Sequence, residues 1–521
     1  MAITHPGEGG LGPSEGVLTL AKGSTLSFLG EIGHIIIIFI YGIVIARFLG
    51  KRDFGVFFLA LTIFNLATLF SYCGIEDGLM RFLGLYVQNK QIPKAKGVIR
   101  FSLLVSVGLG ILFGTLCFSL SDIMAEKIFH EPELATVLRY LSLGIPLFSL
   151  MTGSVASIRG FKILVPYVLV RKIFLPMVSF ILSWVVLSMG YRLRGLSMTY
   201  VISVGCTAAL ATFLLMSFLS QFNRERSTSP DLAKYFPFVS LAFLVNILLF
   251  ISNWSDLISL GMFRSSQEVG VYFASKRTAL LLGLLLISLN AIFAPVISHL
   301  YSGRQYAQLG HAYKTTTHWM LLFTLPLFLI MLFFSKELLS LFGIGFKEGH
   351  TCLIILASGQ LFTASCGPNS YLLMMTGHQR WMVFNAMLYV ILAILFTILL
   401  VPPYGMIGAA YGNLFAVILA NVASVVGVYF HLRIHPYDPY YFKILFLGVV
   451  TAGFTYVFEC YLLNSGSVIF SLLGATLIFV TFFGLVILSG LEEDERKVLM
   501  AVKVKLMTSY FFKSLTGARD S

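Results

Sequence analysis

The feature that most constrains this chain is its succession of apolar runs. Fourteen of them, at 26–46, 54–75, 98–120, 134–158, 163–189, 196–219, 236–263, 269–297, 319–334, 352–375, 382–401, 406–430, 444–463 and 468–488, are separated only by short polar, glycine- or proline-marked stretches. A helix needs about 20 mostly apolar residues to cross the hydrocarbon core, and backbone inside lipid must satisfy its own hydrogen bonds. The pattern predicts an all-α polytopic membrane protein with about 14 transmembrane helices. Composition agrees: 58% of the 521 residues are hydrophobic and 11% charged, with a mean hydropathy of +0.89, whereas soluble domains carry about 25% charged residues. A water-soluble enzyme and a disordered chain are both excluded. The longest connecting stretch, 76–97, reads as a loop and leaves no room for an inserted soluble domain.

An even number of spans puts both termini on one side. The loops of that side, with the termini, carry about twice the Lys and Arg of the opposite set, among them Arg81, Lys90, Lys94, Lys96, Arg224, Arg226 and Lys234. The positive-inside rule then places both termini in the cytoplasm, and the expected location is the cell (cytoplasmic or inner) membrane. The net charge of +13 reads as membrane sidedness and not as a nucleic-acid footprint. Residues 1–22, lacking a basic segment before an apolar core, are expected to be a disordered cytoplasmic N-terminus and not a signal peptide. In the tail, 491–521, Val498, Leu499, Val502 and Leu506 beside Lys497, Lys503 and Lys505 suit either an amphipathic helix on the anionic inner leaflet or a solvated stub. The six cysteines are scattered without CxxC spacing, and neither a GxxxxGK[ST] phosphate loop nor HExxH is present. No metal, cofactor or nucleotide drive is expected.

The chain also repeats itself. The stretch 53–60 (DFGVFFLA) echoes 268–275 (EVGVYFAS), aligning Gly55 with Gly270 at an offset of 215. The turns at Gly160 and Gly377, and the helix-opening Gly195 and Gly408, repeat at 217 and 213. Parallel six-helix repeats are the layout of transporters with two lobes around a central site. The expected organisation is an N-lobe at 23–220, a cytoplasmic linker at 221–235, a C-lobe at 236–431 and two extra helices at 432–490.

Charged groups inside the runs are the candidate chemistry, because each costs about 2.5–3.5 kcal/mol at a helix centre and therefore faces a cavity or a partner. Glu31 and His34 share a face three residues apart and read as a titratable ion-coupling pair or an interior hydrogen bond. At the repeat offset Glu31 aligns with Asn246, which forms a polar stripe with Asn253 and Asp256. That stripe suits cavity lining or helix–helix hydrogen bonding, with Asp256 near the outer end and open to water. Arg171 and Lys172 lie deep in the fifth run, and Lys276 and Arg277 about as deep in the eighth. Together these cations suggest a cavity that attracts an anion; scattered structural pairs, such as Asp256 with Arg277, are the alternative. Arg81 closes the second run as a surface anchor by position. Pro146, Pro166, Pro176, Pro295, Pro326 and Pro368 sit in or beside runs and predict bends.

The stretches 47–57 (RFLGKRDFGVF) and 74–82 (GIEDGLMRF) resemble the signature of prokaryotic oligosaccharide (O-antigen type) flippases, and 269–277 (VGVYFASKR) is similar to their second-lobe motif. That family belongs to the multidrug/oligosaccharidyl-lipid/polysaccharide exporter superfamily. The resemblance implies two six-helix lobes in a V, alternating access, and a cationic lumen for a polyprenyl-(pyro)phosphate-linked sugar. Arg81, Lys276 and Arg277 carry over as charged positions of the family, and the last two helices would border a groove for the lipid tail. The first run has no arginine cluster like that of the related lipid II flippases, which counts against a peptidoglycan-precursor role. The expected function is movement of a lipid-linked oligosaccharide from the inner to the outer leaflet for surface polysaccharide or glycan assembly. Its partners are the bilayer, the lipid-linked glycan and glycan-assembly proteins, and its drive is the membrane potential, H+ or Na+. The alternatives are a cation-coupled multidrug antiporter, for which Glu31 and Asp256 would serve, and a membrane glycan polymerase, which the short external loops disfavour.

Overall fold

The computed structural model describes residues 13–222, 228, 231–462, 468–490, 492 and 496. The expected amphipathic tail at 491–521, most of the 221–230 part of the linker after Phe222, and residues 1–12 of the N-terminus lie outside the described residues. Every regular element among the described residues is helical. Nine of the described helices are long and apolar enough to cross a membrane, or up to eleven when each of two bent pairs is one span. Two of the nine, Gly30–Gln88 and Gln379–Leu432, are broken by left-handed glycines, Gly50 at φ 77° and Gly405 at φ 57°. A side chain is disfavoured in that conformation, so glycine marks where the chain reverses between apolar runs. All fourteen runs are helical over nearly their whole length.

Two expectations change. The first helix begins at Pro13, so the N-terminal segment is helical well before residue 23. The 76–97 stretch is no loop: Ile75–Gln88 is a helix, and the next starts at Ile92. Its apolar residues Ile75, Leu79, Phe82, Leu83 and Tyr86 follow a helical period and are buried, with Glu76, Asp77 and Arg81 between them, a pattern too mixed to read as an apolar run.

The prolines act unequally. The helices Glu133–Ser142 and Gly144–Gly160 meet at 42°, where Pro146 has no N–H to return to the Ser142 carbonyl. Phe346–Cys366 and Asn369–Met375 meet at 46° across Gly367 and Pro368. Pro166 and Pro176 bracket a π-helical turn, Val168–Phe174. Pro295 and Pro326 lie within helices that continue through them.

The repeat is visible in the packing. A Cβ on Gly55 would lie 1.8 Å from the Ser266 carbonyl oxygen, and one on Gly270 would lie 2.1 Å from that of Lys51. Lys51 and Ser266 are themselves 215 apart, so each repeat presents the same contact to the other. Phe58 and Phe273, again 215 apart, stack with centroids 4.0 Å apart. Such reciprocity is the mark of a two-fold contact between equivalent segments.

The chain divides into two compact units. One comprises Met1–Leu281, Leu339–Leu356 and Ala386–Val417, and holds every intramembrane charge named above. The other comprises Leu282–Leu338, Ala357–Asn385 and Ile418–Ser521. This division cuts across the expected boundary at 220–236, because the reciprocal contact draws Ser266–Ala279 into the first unit.

Candidate functional site

Two local features set out the intramembrane charges. The first is Gly74, left-handed at φ 76°, whose added Cβ would meet the Val239 carbonyl at 2.5 Å. Glycine there lets the Ile75–Gln88 helix start directly against the Leu232–Phe263 helix, with Glu76 and Asp77 in its first turn. The Asn246 amide donates to Asp77 Oδ2 at 2.9 Å.

The second is the π turn Val168–Phe174, which carries Arg171 and Lys172. Arg171 Nη1 donates to both Glu76 oxygens at 2.8 and 2.9 Å. Lys172 Nζ lies 2.8 Å from Glu31 Oε2. Pro176 cannot donate to the Lys172 carbonyl four residues back, and His34 Nδ1 lies 3.1 Å from that oxygen. A carbonyl only accepts, so His34 carries its proton on Nδ1. Glu31 and His34 therefore meet at Lys172, one on its ammonium and one on its carbonyl.

The third pair is buried more deeply. Lys276 Nζ lies 2.9 and 2.6 Å from the Asp256 oxygens and 2.7 Å from the Asn253 carbonyl. The Tyr272 hydroxyl and the Leu257 N–H also donate to Asp256, at 2.6 and 2.8 Å. The Asp256 side chain is 4% exposed, so it is not the water-facing group expected at a helix end, and its partner is Lys276, not Arg277. The Asn253 amide donates to its own helix at Leu249.

Three of the four deep cations are thus neutralised within the chain. Removing a charge from water costs several kcal/mol unless a partner returns the interaction, and Glu76, Glu31 and Asp256 are those partners. Arg277 differs. It has no hydrogen-bond or ion-pair partner among the described residues; its guanidinium lies over the Phe273 ring, 5.0 Å from the centroid. Arg81 is exposed, with its guanidinium 4.3 Å from the Phe238 centroid. Glu76, Asp77 and Tyr272 were missed by the sequence reading.

In the second unit His318 is buried, with Nδ1 2.9 Å from Glu492 and Nε2 3.0 Å from Asp438. Among the described residues, this is the group that could hold a metal ion. However, the two ring nitrogens face different carboxylates, which suits a ring bridging two acceptors better than ligands converging on one point.

Among solved structures, an inward closed conformation of the lipid II flippase MurJ is similar at 15% identity and a TM-score of 0.70, over 89% of this chain and 98% of that one. An inward-facing multidrug resistance MATE family transporter of the MOP superfamily gives 16% identity and 0.61, over 80% and 98%. A MOP superfamily transporter from Pyrococcus furiosus, described as having a binding pocket of reverse polarity, gives 15% identity and 0.54, over 80% and 95%. These likenesses establish a shared helical fold. The uncharacterized membrane protein MJ1068 of Methanocaldococcus jannaschii is 21% identical over 420 residues, 73% of this chain and 78% of its own length. Residues 44–347, more than half the chain, match the model of one family, described as polysaccharide biosynthesis protein. The chain is a multi-pass membrane protein that belongs to the polysaccharide biosynthesis protein family.

Proposed function

We propose that this protein is a flippase that carries a polyprenyl-(pyro)phosphate-linked oligosaccharide from the inner to the outer leaflet of the cell membrane, with both termini cytoplasmic. It works as a transporter and not as an enzyme. The observation that carries the reading is Arg277, a guanidinium within the membrane-spanning helices that no carboxylate among the described residues neutralises. A phosphate-bearing headgroup supplies the anion it lacks, while the lipid tail stays in the bilayer. Asn246, Asn253 and His34 add polar groups around the path, and the Arg171, Lys172 and Lys276 pairs hold those helices in register.

An inside-negative potential favours outward movement of anions by about 2.3 kcal/mol per charge per 100 mV, or about 4–5 kcal/mol for a doubly charged head. That supplies direction without nucleotide hydrolysis, and a co-moving H+ or Na+ would reduce it. A multidrug antiporter with a cationic substrate is disfavoured, because Glu31 and Asp256 are already engaged by Lys172 and Lys276. The test is flipping of a fluorescent polyprenyl-diphosphate oligosaccharide in proteoliposomes. Arg277→Gln is expected to reduce the rate at least tenfold with normal folding and insertion. Unchanged flipping by that variant, or transport of cationic dyes with lipid-linked sugars ignored, would overturn the reading.

A further inference from the structure

One cleft of the first unit lies away from these charges, where the loop around Gly50 meets Glu133–Val137, Gly190–Gly195 and Gln267. Its volume is about 750 Å³, within the range of small-ligand sites, about 300–1,000 Å³. These loops share the end of the helices that the proposed orientation puts outside. Four cations, Lys51, Arg52, Arg192 and Arg194, face two carboxylates, Asp53 and Glu133, across it.

The cleft is held in shape from within. Arg192 Nη2 is bound by Asp53 at 3.1 Å and by the Leu49 carbonyl at 3.3 Å. Arg52 is bound by Glu131 at 2.5 Å, with Glu133 at 3.6 Å, and Lys51 by Glu348 at 2.9 Å. Arg194 is exposed and has no partner among the described residues, and the exposed Tyr191 ring packs on no other ring there. Gly50 and Gly190 leave open space where side chains would stand, so peptide groups are accessible at both walls.

The equivalent place in the second repeat is closed. Glu268, the counterpart of Asp53, accepts the Met406 N–H at 3.0 Å, and Arg264 donates to the Pro402 carbonyl at 2.7 Å. The shorter Asp53 turns to Arg192 instead, which leaves the cleft open on the first repeat.

Resting on the proposed flippase function, we infer that this cleft is an exit site that binds the acidic sugars of the delivered glycan on the outer face. Arg194 pairs with a uronate carboxylate, the Tyr191 ring lies against a sugar face, and Gln267 and the backbone at Gly50 and Gly190 take hydroxyls. The chemical class is a short oligosaccharide carrying carboxylates, recognised apart from its lipid.

The test uses the full-length protein in phosphatidylcholine nanodiscs, titrated calorimetrically with trigalacturonate and with maltotriose. Trigalacturonate is expected to bind saturably, Arg194→Ala and Tyr191→Ala to weaken it at least tenfold, and maltotriose to bind at least tenfold more weakly. Absence of saturable trigalacturonate binding, or equal affinity in Arg194→Ala and Tyr191→Ala, overturns the inference. Lost cleft binding with flipping intact defeats the exit site alone; cleft binding with no flipping by the unmodified protein defeats the flippase reading instead.

Discussion

Lys276→Met separates a structural ammonium from a substrate-binding one. The substitution keeps the apolar stem and removes the three contacts at 2.6–2.9 Å that the ammonium makes with Asp256 and Asn253. It leaves a carboxylate, 4% exposed, without its counter-ion. Breaking a buried pair in this way costs about 3–5 kcal/mol. Asp256 retains the Tyr272 hydroxyl and the Leu257 N–H, and hydrogen bonds to a charged group contribute about 1.5–3 kcal/mol each, so the lower end, about 3 kcal/mol, is expected. Asp256→Asn leaves Lys276 with neutral acceptors only, the Asn253 carbonyl and the introduced amide oxygen, and should cost about as much. Because the double variant removes both charges, it should recover about 2 kcal/mol of the summed losses. Thermal and denaturant unfolding of the purified protein in detergent measures all three, with Arg277→Gln as a comparison expected within about 0.5 kcal/mol of the parent. A Lys276→Met protein as stable as the parent but unable to flip would refute this reasoning, because the ammonium would then serve the substrate and not Asp256.

Three further outcomes are expected. Gly270→Ala, whose methyl would lie 2.1 Å from a backbone oxygen, should destabilise by at least about 1–3 kcal/mol; Gly55→Ala should match it and the double variant should fall short of the sum, as read by unfolding midpoints. His318→Ala should remove the bridge between Asp438 and Glu492 and speed limited proteolysis beyond residue 488, while the Asp438 cap on the Tyr441 N–H remains. Burial and the neighbouring His431 hold His378 below its ordinary range; the unfolded chain then binds more protons there, so stability is fully present above about pH 6.5 and falls on acidification. Comparing melting at pH 7.5 and pH 5 should show a smaller loss for His378→Gln than for the parent.

The repeat was legible in the sequence because its offset is carried by glycines, and Gly55 and Gly270 prove to be the residues on which the repeats cross. The charges were legible as positions but not as pairs. Arg171 and Glu76 are 95 residues apart, and Lys172 and Glu31 are 141 apart, so only the fold brings them together. Glu76 and Asp77 were hidden because their helix is amphipathic and carries no continuous apolar run. One signal went unread: Pro176 stands four residues after Lys172, a spacing that frees the carbonyl His34 uses.

Under the proposed function, the pairing also gives a reason for a single unpaired cation among the deep charges of the described residues. At an effective dielectric of about 20, two unit charges 4 Å apart attract by about 4 kcal/mol. The membrane potential supplies about 2.3 kcal/mol per headgroup charge per 100 mV, so under the proposed function the field offsets about half of what one unpaired guanidinium contributes per charge, and each further unpaired cation would widen the deficit. Four free cations would hold the same headgroup far beyond that and trap it. The asymmetry between repeats fits this limit: at the position equivalent to Arg277 the first repeat has Thr62, buried and bonded to its own helix at Phe58. Thr62→Arg, adding a second unpaired guanidinium, should therefore slow flipping while tightening headgroup binding. A faster rate with tighter binding would show that release does not limit this transporter.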